Sequence, residues 1–586
     1  MKILSIHWSI NSSIAYMNNG KIINAISEER FTRLKNDSSF PVQSINWVLE
    51  ENNLKISDID IWVLPGKDFS AEYQLIRKYD SFSISDYVRE QDEYWYPKIY
   101  EKKKINYLEV FKDKIDFNQY PSQFWSKFLD ENLNIIEKSD YRIEVLKDFG
   151  VKQDRIVTVE HHSCHVAYAY FTSKYVYKEP VMAVTIDGIG DGLNATINLI
   201  DKDGEINRVY QTGLANLGRI YRYITLILGM KPNEHEYKMM GLAPYAKDEY
   251  LLDIKKIFED YLFVEKGEFK VRNKISDSYF YFREKFKSYR FDNIAGGIQR
   301  YLEELLVEWI QQNIEKFGFK KIVLSGGVGM NIKAMGEIIK QTSLEDLYIP
   351  GNPSDESNCI GAAYYYNHIV GKKNKKLKSL YLGSIPEKNN KIIEDAQNKY
   401  EVIDNPSNNF IINELNKGKV VGRCIGGMEF GARALGNRSL LARSDDPELK
   451  DKINSMIKNR DFWMPFAPIV LDSFSKKYLV NSKNIDSPYM TIGFDTTNEG
   501  KLALKAALHQ GDMTVRAQIL KKEHNPKLYN FLDEFSQNTG FGCILNTSFN
   551  LHGFPIVNTQ NDAYHVFENS KLDCLWLENY LIRKVL

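Results

Sequence analysis

Short apolar runs broken by turn residues open the chain. Ile3–Ile6, Ile14–Met17 and Lys21–Ala25 have the length and composition of strands. Between the last two lies Asn18-Asn19-Gly20, which is typical of a hairpin turn. The beginning of the chain is therefore predicted to be a sheet of paired strands.

The same design recurs about 180 residues later. A buried-type strand, Val181–Ile186, ends in Asp187 and Gly188, and a second strand, Leu193–Ile200, follows it. Two strand units of this kind in one chain predict two related α/β lobes with a cleft between them. Residues 66–150 separate the units, are rich in aromatic residues and lysine, and have helical spacing, so we expect a helical insertion over the cleft.

Two histidines four residues apart begin the segment that precedes the second unit. His161 and His165 are followed by residues without glycine or proline, which predicts a helix. The spacing places both imidazoles on one helix face, within reach of a single metal ion. An exposed polar helix face gives the same spacing, and two ligands do not make a site, so the pair alone leaves both interpretations open.

A third predicted strand, Lys321–Leu324, runs into Gly326, Gly327 and Asn331. Glycines at a strand-to-helix turn let backbone N–H groups approach a phosphate or adenosine, although any tight corner can require them. Further on, Asp355 precedes the small-residue helix around Ile360, where a carboxylate also serves as a helix cap.

Composition narrows the classes of protein. Lys+Arg and Asp+Glu both number 77, so net charge favours neither nucleic acid nor a membrane surface. The five cysteines are scattered and never spaced as C-x-x-C, which is typical of a reducing compartment. The N-terminus lacks a signal-peptide pattern, and no stretch reaches the roughly 18 apolar residues of a membrane helix. We expect a cytoplasmic protein without a membrane partner.

The polar, basic stretch at residues 371–380 is the best candidate for a solvated linker. It divides a first domain, 1–370, from a second, 381–586.

The acid-turn strand, the Gly-Gly corner and the histidine pair together resemble the actin/Hsp70 type of two-lobed fold, and within it Kae1/TsaD. That resemblance implies a metal bound by His161, His165 and Asp355, and related carbamoyltransferases imply Asp187 as a fourth ligand. Imidazole and carboxylate ligands suit iron, zinc or manganese, and the resemblance favours iron. A homodimer is compatible with it.

The C-terminal half carries longer motifs. They are Glu429-Phe430-Gly431-Ala432-Arg433-Ala434-Leu435-Gly436-Asn437-Arg438-Ser439, Lys458-Asn459-Arg460, Pro465-Phe466-Ala467-Pro468 and Asn546-Thr547-Ser548-Phe549-Asn550. With Glu28–Lys35 and Tyr237–Tyr245, these motifs resemble the NodU/TobZ/CmcH carbamoyltransferases along the whole chain except for the insertion. The resemblance implies a YrdC-like α/β fold for the second domain.

Fixed cations in glycine- and asparagine-rich segments are typical of phosphate binding. Pairing with surface carboxylates is the alternative, and it is favoured for Arg460. The residues expected to act on ATP or carbamoyl phosphate are Arg433, Arg438, Lys458 and Arg516, and those expected to bind nucleotide are Gly326, Gly327, Asn331, Arg460, Asn546 and Ser548.

The resemblance implies a two-step reaction. The second domain condenses carbamoyl phosphate with ATP, supplied with magnesium, to give carbamoyl-adenylate and pyrophosphate. The first domain then transfers the carbamoyl group to an acceptor hydroxyl, and AMP leaves. An activated leaving group is chemically reasonable, because the carbamoyl carbonyl is a poor electrophile.

The chain also departs from the family pattern. Gly427, Met464 and Phe554 stand where the family has two arginines and a glutamate, and Ala432 replaces a proline. These changes leave open a non-catalytic nucleotide sensor. A tRNA threonylcarbamoyl-type transferase is a further alternative, but the Glu429–Ser439 motif makes it less favoured.

The acceptor is the open part of the prediction. Family frequency favours a small molecule, with 5-hydroxymethylpyrimidine in DNA second. A DNA acceptor requires an aromatic wall and phosphate contacts, which Tyr94, Trp95, Tyr96, Lys98 and Lys102–Lys104 could supply.

Overall fold

A computed structural model describes residues 1–120, 125–136 and 140–584 of the chain. These residues form two compact units, Met1–Leu377 and Lys378–Leu586. Both units combine strands and helices, which confirms the α/β class. The described part of the chain contains no helix with the length and apolar character of a membrane span.

The first unit contains two five-stranded sheets and a small hairpin. Its strands are β1 (Lys2–His7), β2 (Ser13–Asn18), β3 (Lys21–Ser27), β4 (Ile61–Pro65), β5 (Ile156–Val159), β6 (Val181–Gly190), β7 (Leu193–Ile200), β8 (Ile206–Thr212), β9 (Leu262–Glu265), β10 (Glu268–Val271), β11 (Lys321–Ser325) and β12 (Asp346–Tyr348). The first sheet has the order β3-β2-β1-β4-β5 and the second the order β8-β7-β6-β11-β12.

The two sheets are built in the same way. In each, three successive antiparallel strands are followed by two strands parallel to the first of them. Asn19 and Gly20 both have positive φ, as a tight two-residue hairpin requires. The repetition confirms the prediction of two related α/β lobes.

Sixteen α-helices are described in this unit. They are α1 (Glu29–Thr32), α2 (Val42–Glu51), α3 (Ala71–Leu75), α4 (Lys78–Ser81), α5 (Ile84–Arg89), α6 (Tyr96–Ile99), α7 (Tyr107–Val110), α8 (Tyr141–Asp148), α9 (His161–Thr172), α10 (Leu217–Ile227), α11 (Glu236–Leu242), α12 (Leu251–Glu259), α13 (Ser278–Lys285), α14 (Phe291–Phe317), α15 (Ile332–Gln341) and α16 (Asn358–Ile369).

Helices α9 and α16 join the two lobes. α9 packs against β6 and β11 of the second sheet, and α16 packs against β1, β2 and β4 of the first, while the two helices pack on each other. Gly361 makes their close approach feasible, because a Cβ there would lie 2.0 Å from the Cys164 carbonyl oxygen. The predicted histidine helix is therefore held between both sheets.

The chain between β4 and β5 contains the region 66–150 and is built from α3 to α8. Many of its aromatic residues, including Tyr87, Tyr107 and Trp125, share one core with the first sheet. Residues 121–124 and 137–139 of this region lie outside the described residues. The buried aromatic residues of this region therefore serve packing, whereas Tyr96 and Tyr100 are 42% and 43% exposed.

The stretch 371–380 has no helix or strand, but its first half is not a solvated linker. Asn374 is 4% exposed and its backbone N–H donates to the Tyr177 hydroxyl. The backbone N–H of Lys375 donates to Gly20, and that of Leu377 to Phe171. These contacts fix the segment to the first unit, and Asn374 and Leu377 are buried while Lys375 and Lys376 are exposed, so residues 374–377 are not a free linker.

The second unit has one eight-stranded mixed sheet of order β13-β20-β19-β14-β15-β18-β16-β17. Its strands are β13 (Glu401–Asp404), β14 (Val421–Cys424), β15 (Arg438–Ala442), β16 (Ala467–Leu471), β17 (Gln518–Leu520), β18 (Cys543–Ser548), β19 (Cys574–Leu577) and β20 (Tyr580–Arg583). Its helices are α17 (Asn390–Lys399), α18 (Asn408–Asn416), α19 (Glu448–Ile453), α20 (Asp472–Tyr478), α21 (Asn498–Ala503), α22 (Pro526–Thr539) and α23 (Gln560–Glu568).

Candidate metal centre and phosphate cavity

Four predicted metal ligands meet in the first unit. His161, His165, Asp187 and Asp355 each offer one ligand atom, and these atoms lie within 4.8 Å of one another. Their residues come from the start of α9, the end of β6 and the turn before α16. The alternative interpretation, that the two histidines lie on an exposed polar helix face, is wrong, because His161 is 8% and His165 0% exposed.

Nitrogen and oxygen atoms of the four side chains face one point. The Nε2 atoms of His161 and His165 are 3.1 Å apart. Nε2 of His161 lies 3.1 Å from Asp187 Oδ2, and Nε2 of His165 lies 3.2 Å from Asp355 Oδ1. Two imidazoles and two carboxylates around one point form a donor set that fits a divalent transition metal.

Neighbouring groups orient the ligands. The Ser325 hydroxyl lies 3.2 Å from Nδ1 of His165, so the other ring nitrogen is directed to the centre. The free oxygen of Asp187 accepts the backbone N–H of Gly327 at 2.7 Å. Ser325 had no signal in the sequence beyond its position at the end of a predicted strand.

The charge of the centre favours a cation. Burial lowers the pKa of His161, but Asp355 and Asp187 outweigh it and raise the pKa to about 9. The neighbouring His162 has the opposite environment, since burial and the other two histidines lower its pKa to about 4. Its ring nitrogens contact Thr185 and Leu193 instead, so His162 is not part of the centre.

The Gly-Gly corner has a different partner from the one predicted. Gly326 has φ +108°, and a Cβ there would lie 2.2 Å from the Ile186 carbonyl oxygen. The Gly327 N–H donates to Asp187, and Asn331 exchanges hydrogen bonds with Gln299 and caps α15. The three residues predicted to bind nucleotide thus support the metal ligands and the fold.

Three predicted arginines meet in the second unit. β18 runs antiparallel to β15 and β16, so its end lies beside their beginnings at one edge of the sheet. Arg433 precedes β15, Arg460 precedes β16 and Arg516 precedes β17. With Asn546, Thr547 and Ser548 of β18, they line a cavity of about 60 Å³.

Like charges crowd this cavity. Burial and the neighbouring guanidinium groups of Arg433 and Arg460 hold the pKa of Arg516 well below its usual range. Such crowding costs free energy that a polyanion would offset. The three arginines, which come from separate segments of the sequence, therefore lie side by side and form one candidate anion-binding site.

Hydrogen bonds from neighbouring polar side chains hold residues of the cavity wall in place. The buried Lys458 donates to the Ser548 hydroxyl at 3.1 Å and to Asn550 Oδ1 at 2.6 Å. Arg460 donates to the Thr547 hydroxyl at 3.0 Å. Asn546 is 1% exposed and donates to the Ala434 carbonyl.

Arg438 does not belong to this cavity. It is fully buried, and its guanidinium donates to the carbonyls of Ser384, Ile425, Gly426 and Asn558. The expectation of a catalytic role is wrong for this residue, because its donors are used within the fold. Of the positions that depart from the family pattern, Ala432 lines the cavity, whereas Met464 is buried elsewhere and Phe554 is 51% exposed.

Two family models match the chain. The model "Carbamoyltransferase N-terminus" matches residues 2–364 and "Carbamoyltransferase C-terminus" matches residues 412–584. The chain belongs to the carbamoyltransferase family. The resemblance predicted from the motifs is confirmed, and carbamoyl transfer is the general activity of the family.

Curated relatives match between half and all of the chain. Protein MJ1058 of Methanocaldococcus jannaschii is 30% identical, with 100% of each chain covered. Nodulation protein NolNO of Sinorhizobium fredii is 26% identical over 96% of this chain and 78% of its own. Nodulation protein U of Rhizobium tropici is 30% identical over 50% of this chain and 49% of its own.

Among solved structures, full-length HypF in the phosphate- and nucleotide-bound form matches with a TM-score of 0.35. It is 12% identical, and the match covers 64% of this chain and 47% of HypF.

Proposed function

We propose that this protein is an ATP-dependent O-carbamoyltransferase that uses carbamoyl phosphate. Family membership supports carbamoyl transfer, and the three-arginine cavity of the second unit is the observation that supports the donor and ATP. In this proposal the first unit is a Kae1-like transfer domain of the actin/Hsp70 type, and the second a YrdC-like domain that forms carbamoyl-adenylate.

The second unit binds two phosphorylated substrates. Carbamoyl-adenylate retains one phosphate, which comes from ATP. Water hydrolyses carbamoyl phosphate to carbamate and inorganic phosphate. A carbamate oxygen then forms a bond to the α-phosphorus of ATP, the bond from that phosphorus to the β-phosphate oxygen breaks, and pyrophosphate leaves. Arg433, Arg460 and Arg516 neutralise these leaving groups, and Lys458 orients Ser548 and Asn550 beside them.

The first unit then transfers the carbamoyl group. His161, His165, Asp187 and Asp355 would hold a divalent ion, with iron favoured, which supplies positive charge for phosphate oxygens. The acceptor oxygen forms a bond to the carbamoyl carbon, the bond to the adenylate oxygen breaks, and the hydroxyl proton is released. Ser325 holds His165 in the orientation that this arrangement requires.

The acceptor is proposed to be a hydroxyl-bearing small molecule. The aromatic run considered for DNA packs within the insertion, where Lys98 donates to the Tyr94 hydroxyl at 2.7 Å and Tyr94 packs on Tyr107. The rings of Tyr94 and Trp95 therefore pack within the protein, whereas Tyr96 is 42% exposed, and the engagement of two of the three rings supports a small-molecule acceptor.

Pyrophosphate release tests the first step. The purified protein with ATP and magnesium is expected to release pyrophosphate only when carbamoyl phosphate is added. No release under any of these conditions would contradict the proposal and favour a nucleotide sensor. Release driven by bicarbonate and threonine would instead favour the tRNA threonylcarbamoyl type.

Mass spectrometry tests the acceptor. Hydroxymethylcytosine-containing DNA, incubated with the protein, carbamoyl phosphate and ATP and then digested to nucleosides, is expected to gain no carbamoyl mass. A gain of one carbamoyl group would overturn the small-molecule assignment while preserving the reaction.

A further inference from the structure

The turn between β6 and β7 touches the metal-bearing helix at two points. β6 ends at Gly190, and Asp191 follows it in the turn. A Cβ at Gly190 would lie 2.1 Å from Cδ2 of His161, so the turn packs directly on that imidazole. The Asp191 carboxylate accepts the backbone N–H of His161, the first residue of α9, at 2.7 Å. One turn therefore fixes both the ring and the backbone of a proposed metal ligand.

Two carboxylates accept the first three N–H groups of α9. Glu160, the residue before the helix, accepts those of His162 at 3.0 Å and Ser163 at 2.7 Å. Free N–H groups at a helix N-terminus carry partial positive charge, so both carboxylates stabilise this end of the helix. Glu160 is local to α9, whereas Asp191 belongs to the second sheet. Asp191 therefore fixes the start of α9 relative to β6.

The same carboxylate holds the base of the insertion, which we define as residues 66–68, directly after β4. Asp191 Oδ1 accepts the backbone N–H groups of Lys67 at 2.6 Å and Asp68 at 2.8 Å, while Oδ2 is the atom that accepts from His161. Lys67 and Asp68 are exposed. Asp191 thus joins a surface segment to the first residue of the metal-bearing helix.

The other end of the insertion meets the same base. Arg142, in α8, is 3% exposed and donates to the carbonyls of Pro65 at 3.0 Å and Gly66 at 2.8 Å. Both ends of the insertion are therefore anchored beside Asp191, so a change in the position of the base affects the insertion at its entry and at its exit.

We propose that Asp191 is a positioning residue that couples the metal centre to the base of the insertion. A metal ion held by His161 restrains the start of α9, and Asp191 passes that restraint to the N–H groups of Lys67 and Asp68. This inference rests on the proposed metal centre and gives it a second task, which is to order the base of the insertion.

Thermodynamic linkage makes this coupling reciprocal. If bound metal stabilises the base through Asp191, the ordered base stabilises bound metal to the same extent. Groups that orient a metal ligand typically contribute a factor of about 10 to 100 to metal affinity. Loss of the Asp191 contacts should therefore weaken metal binding and release the base together.

Asp191→Asn separates these contacts with little change in shape. Asp191 has φ +48°, a conformation that asparagine also tolerates. The asparagine amide has one acceptor oxygen, and its NH2 group cannot accept an N–H. Either the N–H of His161 or those of Lys67 and Asp68 must then lose their acceptor, so the connection between them is broken.

Hydrogen exchange and metal titration test the coupling without turnover. The full-length, chelator-treated protein is titrated with iron(II) under anaerobic conditions. In the wild type, iron(II) should slow exchange of the Lys67 and Asp68 amides, because bound metal stabilises the segments connected to it. Asp191→Asn should weaken iron(II) binding about tenfold or more and abolish the slowing at Lys67 and Asp68.

The matched control is Asp201→Asn. Asp201 lies in the next turn, between β7 and β8, and accepts the backbone N–H groups of Asp203 at 2.9 Å and Glu205 at 3.0 Å. Its replacement should leave both the iron(II) affinity and the iron-dependent slowing at Lys67 and Asp68 as in the wild type. A loss of either in this control would show that any weakened turn gives the same result, and would overturn the specific role of Asp191.

Two further results would overturn the inference. One is a wild-type protein that binds iron(II) without slower exchange at Lys67 and Asp68, a result that does not depend on any variant. The other is Asp191→Asn protein with the iron(II) affinity and exchange of the wild type. A wild type that binds no iron(II) would instead contradict the metal centre itself, so the two failures are distinguishable.

Discussion

At the residue scale, identical side chains have different tasks because of their surroundings. His161 and His165 face two carboxylates, whereas the intervening His162 faces Thr185 and a backbone carbonyl. Arg433 lines a cavity with two other arginines. Arg438, five residues later, instead donates its guanidinium hydrogen bonds to backbone carbonyl groups. Residue type alone therefore does not identify a functional group.

His165→Ala is expected to abolish carbamoyl transfer while sparing carbamoyl-phosphate-dependent pyrophosphate release, because His165 belongs to the first unit's centre alone. Bound metal, measured by elemental analysis, should fall with transfer activity. His162→Ala is the matched control, since it removes a buried neighbouring imidazole outside the centre and should retain metal. Loss of both reaction steps in His165→Ala would contradict the division of labour.

Arg516→Gln is expected to stabilise the ligand-free protein by about 1 kcal/mol and to abolish pyrophosphate release. The substitution removes a charge that Arg433 and Arg460 repel. Chemical unfolding and the pyrophosphate assay measure the two effects. Arg443→Gln is the control: Arg443 is paired with Asp445 at 2.7 Å, so its loss should bring no stabilisation. Destabilisation by Arg516→Gln would contradict the proposed repulsion.

At the element scale, ends of strands and helices place the site residues. The four ligands come from the start of α9, the end of β6 and the turn before α16. His165 and Asp187 contact Ser325 at the end of β11 and Gly327 after it. An ion pair between Lys35, after α1, and Glu234, before α11, joins further elements of the same unit at 2.6 Å.

This ion pair predicts a pH dependence of stability. Burial raises the pKa of Glu234, but Lys35 and Lys231 outweigh it and lower the pKa to about 2. The stabilisation should be fully present above the unfolded-state pKa of about 4.3 and be lost as the pH falls through about 2. Glu234→Gln should therefore cost about 1–2 kcal/mol at pH 7, since the pair is partly exposed, and progressively less below about pH 4.

Thermal unfolding of the wild type and Glu234→Gln between pH 7 and pH 3 measures that difference. Glu101→Gln, which removes an exposed pairing with Lys103, should have no measurable effect. A difference between wild type and Glu234→Gln that grows on acidification would contradict the assignment.

At the scale of the whole molecule, each of two units has its own core and contains one of the two candidate sites. The metal cluster lies in Met1–Leu377 and the arginine cavity in Lys378–Leu586. A metal ion should therefore change hydrogen exchange in the first unit, and ATP with carbamoyl phosphate should change it in the second.

Hydrogen exchange on the full chain tests this separation. Adding iron(II) to chelator-treated protein should slow exchange in α9 and β6 and leave β18 unchanged, because bound ligands stabilise the elements that hold them. ATP with carbamoyl phosphate should protect β18 and residues 433–460. Iron-dependent protection confined to β18 would contradict the assignment of the metal centre to the first unit.

The sequence by itself predicted six strands of the first unit, the repeated lobe design and the family. The strands follow from local hydrophobic patterns, and the family follows from motifs that are each short and continuous in the chain. The four ligands, which span residues 161–355, were predicted through the family resemblance. Val181–Ile186 and Leu193–Ile200 form β6 and β7, and Asn18-Asn19-Gly20 forms the hairpin turn.

Only the tertiary structure decided which polar groups are used within the fold and which are available to bind a ligand. Packing assigned Arg438 to backbone carbonyls, Gly327 to Asp187 and residues 374–377 to the first unit. It also brought Lys35 and Glu234 into an ion pair at 2.6 Å, although 199 positions separate them in the chain. The physical reason is that a buried donor must find its acceptor wherever the fold places one, and sequence distance carries no record of that pairing.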